Sequence, residues 1–352
     1  MSKVPVSNQP FTAIDLFSGC GGLTAGLRSA GFQVRAAVEI DSKAQATYAL
    51  NHPAVLLYRQ DIRTLSARTI LKHLDLRKGQ LDLLAGCPPC QGFSRLRTLN
   101  HGVAVPDSRN DLIWEFLRLI EGIRPRTVMF ENVPALRDDS RFKKFCTALE
   151  GFGYRLTVEV LNAADYSVPQ RRRRLILLAS RIHFPLIAPR AKKRRTVRDA
   201  IGTIESPAGT SDSVHAVPEN RSVGVRALIE RIPLNGGSRS QLPKEMQLAC
   251  HLRSNGFYDV YGRMTWDDVA PTITSGCINP SKGRFLHPDE HRTITLREAA
   301  LLQGFPKRYR FDVSHGKEAI ALMIGNALPP PFIRAQAAEL KRGLVADRLL
   351  AG

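Results

Sequence analysis

The stretch Cys87-Pro88-Pro89-Cys90 follows directly on the apolar run Leu81–Gly86. Thiolate, not thiol, is the reactive form of cysteine, and nearby positive charge or helix N-termini favour it. A rigid Pro-Pro pair presenting Cys90 where a buried strand ends would hold such a group at a ligand crevice. The same Cys-x-x-Cys spacing also suits a dithiol redox pair or half of a zinc site. Zinc needs further ligands, and Cys20, Cys146, Cys250 and Cys277 stand singly without a second pair, so no metal site is expected. Other side chains suited to chemistry are Glu131-Asn132 at the end of Thr127–Asn132, and the run Gln170-Arg171-Arg172-Arg173-Arg174. In an extended segment Arg172 and Arg174 share one face, with Arg171 and Arg173 on the other.

These side chains need a scaffold, and the N-terminal half of the chain reads as one. Phe11–Phe17 is a buried strand, Ser18–Gly22 a glycine-rich turn, Leu23–Ala30 a helix, Val34–Glu39 a strand and Ser42–Asn51 a helix. Such a βαβ unit makes a parallel sheet with a right-handed crossover. Strands over Ala54–Tyr58, Leu81–Gly86 and Thr127–Asn132 extend the sheet, with helices over Asp111–Ile120 and Phe142–Leu149. Tyr154–Val160 and Leu175–Ser180 read as an antiparallel edge pair. Strand ends carry ligand contacts in this architecture, so Glu131 and Asn132 should share a crevice with Cys90.

The glycine turn Gly19-x-Gly21-Gly22 departs from the dinucleotide pattern Gly-x-Gly-x-x-Gly. Glu39 stands twenty residues after Gly19, where an acid binds a ribose hydroxyl. Asp15, in the strand before the turn, suits a cationic ligand better than a pyrophosphate. The turn therefore favours adenosylmethionine over a nicotinamide dinucleotide, with an ordinary tight turn as the plain alternative.

The sequence has 352 residues, enough for a large α/β domain and a smaller one. Lys and Arg number 51 against 32 Asp and Glu, a net charge of +19. That excess points to a polyanionic partner, most simply nucleic acid. Residues 171–198 alone hold eleven Lys or Arg and no acid, although a single basic run is often just a solvated face. Apolar stretches stay well short of the ~20 residues of a membrane span. The first ten residues lack the apolar core of a signal peptide, and six cysteines without a regular framework suit a reducing cytoplasm.

Past about residue 183 the character changes. Pro185, Pro189, Pro207, Pro218, Pro233 and Pro243 punctuate a region rich in Ser, Arg and Gly. It reads as a second, smaller domain of short strands and long loops over 184–314, suited to base and phosphate contacts or to capping the sheet. Thr295–Gly304 contains a capped short helix, and a final helix runs from Phe332 to about Leu350. This last helix returns to the first domain, which comprises 1–183 and 315–352.

Taken together, these residues resemble the cytosine-C5 DNA methyltransferases, over most of the chain and in the family's order. Asp15–Gly22 resembles the first cofactor motif, Gly86–Gln91 the nucleophile motif, Glu131-Asn132-Val133 the catalytic glutamate motif, and Gln170-x-Arg172-x-Arg174 the Gln-x-Arg-x-Arg motif. Arg297-Glu298 with Gln303–Pro306, and Gly325-Asn326-Ala327, resemble the last two blocks. Cys87 stands where the family more often has Gly or Ser, and Leu328 where it has Val.

The resemblance implies a Rossmann-like adenosylmethionine-dependent methyltransferase sheet with a smaller irregular target-recognition domain. It implies that Cys90 attacks C6 of a cytosine flipped out of duplex DNA, and that Glu131 bonds the N3 and amine edge. Arg174 would orient the base carbonyl, and Arg172 would contact nearby backbone or active-site groups. Asp15, Phe17, Gly19, Gly21, Gly22, Glu39, Asp61, Pro89 and Asn326 would hold S-adenosyl-L-methionine, with Glu39 and Asp61 on ribose and adenine. Gln91–Val105 would close as a lid. The expected setting is a prokaryotic cytoplasmic enzyme on nucleoid DNA, monomeric and paired with a restriction endonuclease of the same site. A tRNA cytosine methyltransferase carries the same motifs. A nicotinamide-dependent oxidoreductase and a catalytically dead DNA-binding protein are the rivals of other classes.

Overall fold

The computed structural model describes residues 9–89, 111–247 and 259–351. The chain divides into two compact units, one of residues 1–162, 173–190 and 330–352, the other of 163–172 and 191–329. The sequence reading drew its boundaries at 183/184 and 314/315.

The first unit carries a seven-stranded sheet. Its strands are β1 (Thr12–Leu16), β2 (Gln33–Val38), β3 (Leu56–Tyr58), β4 (Leu83–Gly86), β5 (Thr127–Asn132), β6 (Arg155–Asn162) and β7 (Arg173–Ser180). Their order is β3-β2-β1-β4-β5-β7-β6. The first five run parallel, and β7 is antiparallel to both neighbours. The order reverses direction between β1 and β4, so their carboxyl ends open the crevice in which doubly wound sheets bind ligands. Gly86 lets β4 lie close to β1 there, since a Cβ on it would press within 3.0 Å of the Leu16 carbonyl oxygen.

Helices α1 (Gly22–Ser29), α2 (Ser42–Asn51), α3 (Ala67–His73), α4 (Leu112–Ile123), α5 (Ser140–Gly151) and a final helix (330–351) complete the unit. Leu112, Ile113, Phe116, Leu119, Ile120 and Ile123 bury the face of α4 that its helical periodicity predicts. Phe116, Phe130, Phe142 and Phe145 pack their rings together between α4, β5 and α5, with Phe130–Phe145 centroids 5.2 Å apart. All six residues of β5 are buried, as expected of a strand covered on both faces. The expected strand over Ala54–Tyr58 is shorter than anticipated, and α3 is a helix that the sequence reading did not place.

The second unit holds α6 (Val197–Ile201), α7 (Val223–Arg231), α8 (Leu296–Leu302) and α9 (Lys317–Asn326), with several single 3-10 turns. Among the described residues, the short strands expected there are not formed. Among the described residues of this unit, pairing is limited to isolated bridges such as Arg263–Leu286 and Leu286–Thr293. The prolines remove ladder donors, and buried arginine side chains bind backbone carbonyls across the unit, including those at the end of α7. Arg263 is fully buried and donates to the carbonyls of Ile229 at 2.8 Å, Ile232 at 3.0 Å and His287 at 2.9 Å. Arg284 does the same for Gly236 at 3.1 Å and Arg263 at 2.9 Å.

The packing of α1 on the final helix, which is numbered α10, depends on Gly26. A Cβ at that position would lie 2.6 Å from Ile333 Cβ and 2.7 Å from the Pro330 carbonyl oxygen, neither of which can swing away. Gly26→Ala is therefore expected to cost about 1–3 kcal/mol of stability despite its better helix propensity. Urea denaturation checks this, and an unchanged or raised midpoint would contradict the close approach.

Candidate active site

The carboxyl ends of β1 and β2 are joined by one carboxylate. Glu39 Oε2 accepts from the Gly19 N–H at 2.7 Å, while Oε1 accepts from the N–H groups of Ile40 at 2.9 Å and Asp41 at 2.8 Å. Burial pushes the Glu39 carboxyl up, against these three backbone hydrogen bonds. The turn itself is built from left-handed residues. Phe17 has φ 60°, Gly19 φ 54° and Gly21 φ 98°, the last serving as the N-cap of α1. Phe17 pays a strain that glycine would not, and its half-buried ring packs against the core.

Behind the turn lies a fully buried acid. Asp15 Oδ2 accepts from Thr24 Oγ1 at 2.7 Å, and that hydroxyl lies 2.8 Å from the Tyr48 hydroxyl. Asp15 Oδ1 has no partner. Burial pushes Asp15 up to about 7, opposed by the Thr24 hydrogen bond and assisted by the Glu39 charge. His52, whose Nε2 is 3.3 Å from the Gly21 carbonyl oxygen, is pushed down to about 4 by burial and by Arg28. Asp61 caps a 3-10 turn, accepting from the Arg63 N–H at 2.9 Å and from its Nη1 at 3.0 Å.

These residues fit adenosylmethionine better than a dinucleotide. A pyrophosphate would need free amides at the turn, yet the Gly19 amide is already held by a carboxylate whose charge would repel it. Glu39 has used three of the roughly four lone-pair sites of a carboxylate, which leaves capacity for a sugar hydroxyl. Space beside Gly19 is open, with nothing within 4 Å of a Cβ built there. Gly22 opens α1, and Pro89 is half-buried two residues past Cys87.

Across the switch point, β4 and β5 end on a second cluster. Glu131 is 2% exposed. Arg174 Nε of β7 meets its Oε1 at 2.9 Å, and Cys87 Sγ donates to its Oε2 at 2.6 Å. Register puts Glu131 opposite Ile176 and Arg174 opposite Leu161, so the β5–β7 pairing itself delivers the arginine. Asn132 Nδ2 donates to the Pro88 carbonyl at 3.0 Å, which ties the segment after β4 to the end of β5. Cys90 and the expected lid Gln91–Val105 lie outside the described residues.

The two arginines of the Gln-x-Arg-x-Arg stretch part company. Arg174 is on Glu131, whereas Arg172 precedes β7 and is buried in the second unit. There Arg172 donates to the carbonyls of Ile273 at 3.1 Å and Gly325 at 3.1 Å. Gln170 accepts from the Ile273 N–H at 2.9 Å and donates to Gln303 Oε1 at 2.5 Å; Gln303 in turn donates to the Ile324 carbonyl at 2.9 Å. Gly325 must be glycine, since a Cβ would stand 2.3 Å from the Ser275 nitrogen. Asn326, at the exposed end of α9, follows it. Sequence reasoning missed Thr24, Tyr48 and the Cys87–Glu131 contact. Only the position of Cys87, a thiol where the family prefers Gly or Ser, gave any signal.

A model of the C-5 cytosine-specific DNA methylases matches residues 11–342. Among curated proteins, the Type II methylase M.HgiDII of Herpetosiphon aurantiacus is 36% identical over 353 residues, covering 94% of this chain and 95% of that protein. The Type II methyltransferase M1.HphI of Haemophilus parahaemolyticus is 32% identical, covering 95% and 88%. Among solved structures, a DNA modification methyltransferase encoded within a prophage of E. coli superposes with a TM-score of 0.68 at 27% identity, covering 95% of this chain and 99% of that one.

The raised Asp15 makes a prediction about stability. Its folded-state proton affinity exceeds the unfolded value of 3.8, so the stability it contributes is complete at low pH. That contribution is lost as pH rises from about 4 to about 7, at up to about 1.4 kcal/mol per unit. The depressed His52 has the opposite slope from about pH 4 to 6.5. The measurement is therefore the difference between wild type and Asp15→Asn in urea denaturation at several pH values. The asparagine variant should gain on wild type across the window, and a pH-independent difference would refute the assignment.

Proposed function

This chain belongs to the C-5 cytosine-specific DNA methylase family, and from that premise we propose how its residues methylate a cytosine held out of duplex DNA. The enzyme is a DNA cytosine-5 methyltransferase. The observation that carries the residue-level reading is Glu131, a carboxylate 2% exposed with an arginine on one oxygen and a thiol on the other. A buried carboxylate with such partners at a sheet's ligand end is a positioned acid–base group.

C5 of cytosine is a poor nucleophile until the ring is activated. Cys90 thiolate adds to C6, forming the Sγ–C6 bond and moving an electron pair toward N3 and C5. Glu131 supplies the hydrogen bond at N3 that stabilises this charge, and its other oxygen accepts from the exocyclic amine. Arg174 fixes Glu131 through Nε and is assigned to the base carbonyl. We assign Arg172 to a supporting role, since its guanidinium is committed to the Ile273 and Gly325 carbonyls. Once C5 has used its electron pair to bond the methyl group, transfer of the C5 proton to a base gives the C–H bonding pair to the ring and breaks the Sγ–C6 bond, freeing the thiolate.

S-adenosyl-L-methionine, when bound, supplies the methyl group as an electrophile. Phe17, Gly19, Gly21, Gly22, Glu39, Asp61, Pro89 and Asn326 would hold it, with Asp15 behind the turn. Glu39 is the ribose partner in this reading, because its unused acceptor capacity matches a sugar hydroxyl.

Residues 184–314 read the DNA sequence in this account, and the net charge of +19 favours the phosphate backbone. Flipping the target nucleotide costs a few kcal/mol. We further propose that it works as a cytoplasmic monomer on nucleoid DNA; relatives named Type II methylase and Type II methyltransferase support a DNA-modifying role. They also support a role in shielding one recognition sequence from a partner endonuclease.

Bisulfite sequencing of DNA from cells expressing the protein tests the reaction. Conversion-resistant cytosines in one sequence context are expected, and uniform conversion would sink the assignment. Cys90→Ser should lower methyl transfer by at least about a thousandfold while adenosylmethionine binding by calorimetry stays close to wild type. Duplex DNA with 5-fluorocytosine in that context should trap wild type as a denaturant-stable adduct, since fluorine blocks the final elimination. Absence of the adduct would count against a covalent intermediate.

A further inference from the structure

Cys87 is held in place from two sides. Its own N–H reaches the Leu16 carbonyl of β1 at 3.4 Å, and the next residue's carbonyl accepts from Asn132 of β5 at 3.0 Å. From that fixed position its S–H points at Glu131 Oε2, 2.6 Å away. Arg174 meets the other oxygen from β7 at 2.9 Å. The arginine contact is an ion pair that leaves Oε1 without a hydrogen bond, so the thiol is the hydrogen-bond donor that limits how the carboxylate turns about its terminal bond.

We propose that Cys87 is a positioning residue for Glu131, holding the carboxylate plane in the orientation that meets the base edge. This rests on the reading of Glu131 given above. A carboxylate has about four lone-pair sites, so a thiol and a guanidinium leave room for the base. A thiol is a weak donor. It limits rotation without tying up the oxygen as an ammonium group would. Glycine, common at this position in the family, cannot make the contact.

Methyl incorporation into unmethylated bacterial genomic DNA by the full-length enzyme tests this. Cys87→Ala should lower kcat about tenfold with KM for DNA within about twofold, because the lost contact orients a group that acts after binding. Cys87→Ser keeps a donor and should recover most of the loss, with the thermal midpoints of all three proteins alike. A wild-type kcat for Cys87→Ala overturns the proposal. So does a serine variant as slow as the alanine one, or a loss of activity that follows a fall in thermal midpoint. Wild-type protein that transfers no methyl group to cytosine overturns instead the reading of the reaction on which the proposal rests.

Discussion

A carboxylate buried inside a sheet is costly unless other groups satisfy it, and the end of β5 is built around that requirement. Glu131 lies at 2% exposure with Arg174 brought beside it from β7 in antiparallel register and Cys87 from the end of β4. Removing the arginine of such a buried ion pair typically costs about 3–5 kcal/mol, whereas the neutral thiol is only a weak donor. The antiparallel insertion of β7 between β5 and β6 is thus more than a topological detail. It puts the start of β7, where Arg174 lies, beside the end of β5, where Glu131 lies.

The other half of the switch point meets the same problem differently. Glu39 spends its acceptors on three backbone amides, joining the glycine turn to the start of α2. Asp15 is left with one oxygen unpartnered and holds its proton near neutrality. Two acids at adjoining strand ends therefore differ in character, one serving as a hydrogen-bonded brace and the other as a buried weak acid. Environment decides this, as both begin as ordinary carboxylic acids.

Arginine use in the second unit changes how the net charge is to be understood. Arg172, Arg239, Arg263 and Arg297 are buried. Arg263 and Arg172 serve backbone carbonyls, among them Ile229 of α7 and Gly325 of α9, and Arg297 is paired with Asp212 at 2.5 Å. Part of the +19 excess is thus structural and never faces DNA. Lys192 and Lys193 are exposed and are the kind of charge that can meet phosphate, whereas the neighbouring Arg194 is paired with Asp165 at 2.6 Å.

Much of this protein follows from sequence alone, because periodicity and punctuation act locally. The βαβ start, the fully apolar β5, the capping box of Thr295 and Glu298, and the motif spacing depend on residues near one another in the chain. So does the family resemblance, which the comparisons bear out. What needed tertiary structure was every pairing across long separations. Cys87 and Glu131 stand 44 residues apart, and their contact arises only because β4 lies beside β5. Thr24 and Tyr48 flank Asp15 only once α1 and α2 pack on the sheet. The two arginines of one short motif look equivalent in sequence. Arg172 ends in a backbone clamp and Arg174 on a carboxylate, because β7 begins between them and the fold assigns them different neighbours. Among the described residues after 183 the expected strands are replaced by isolated bridges and by arginine side chains on distant backbone carbonyls, contacts between residues too far apart in the chain to be read from it.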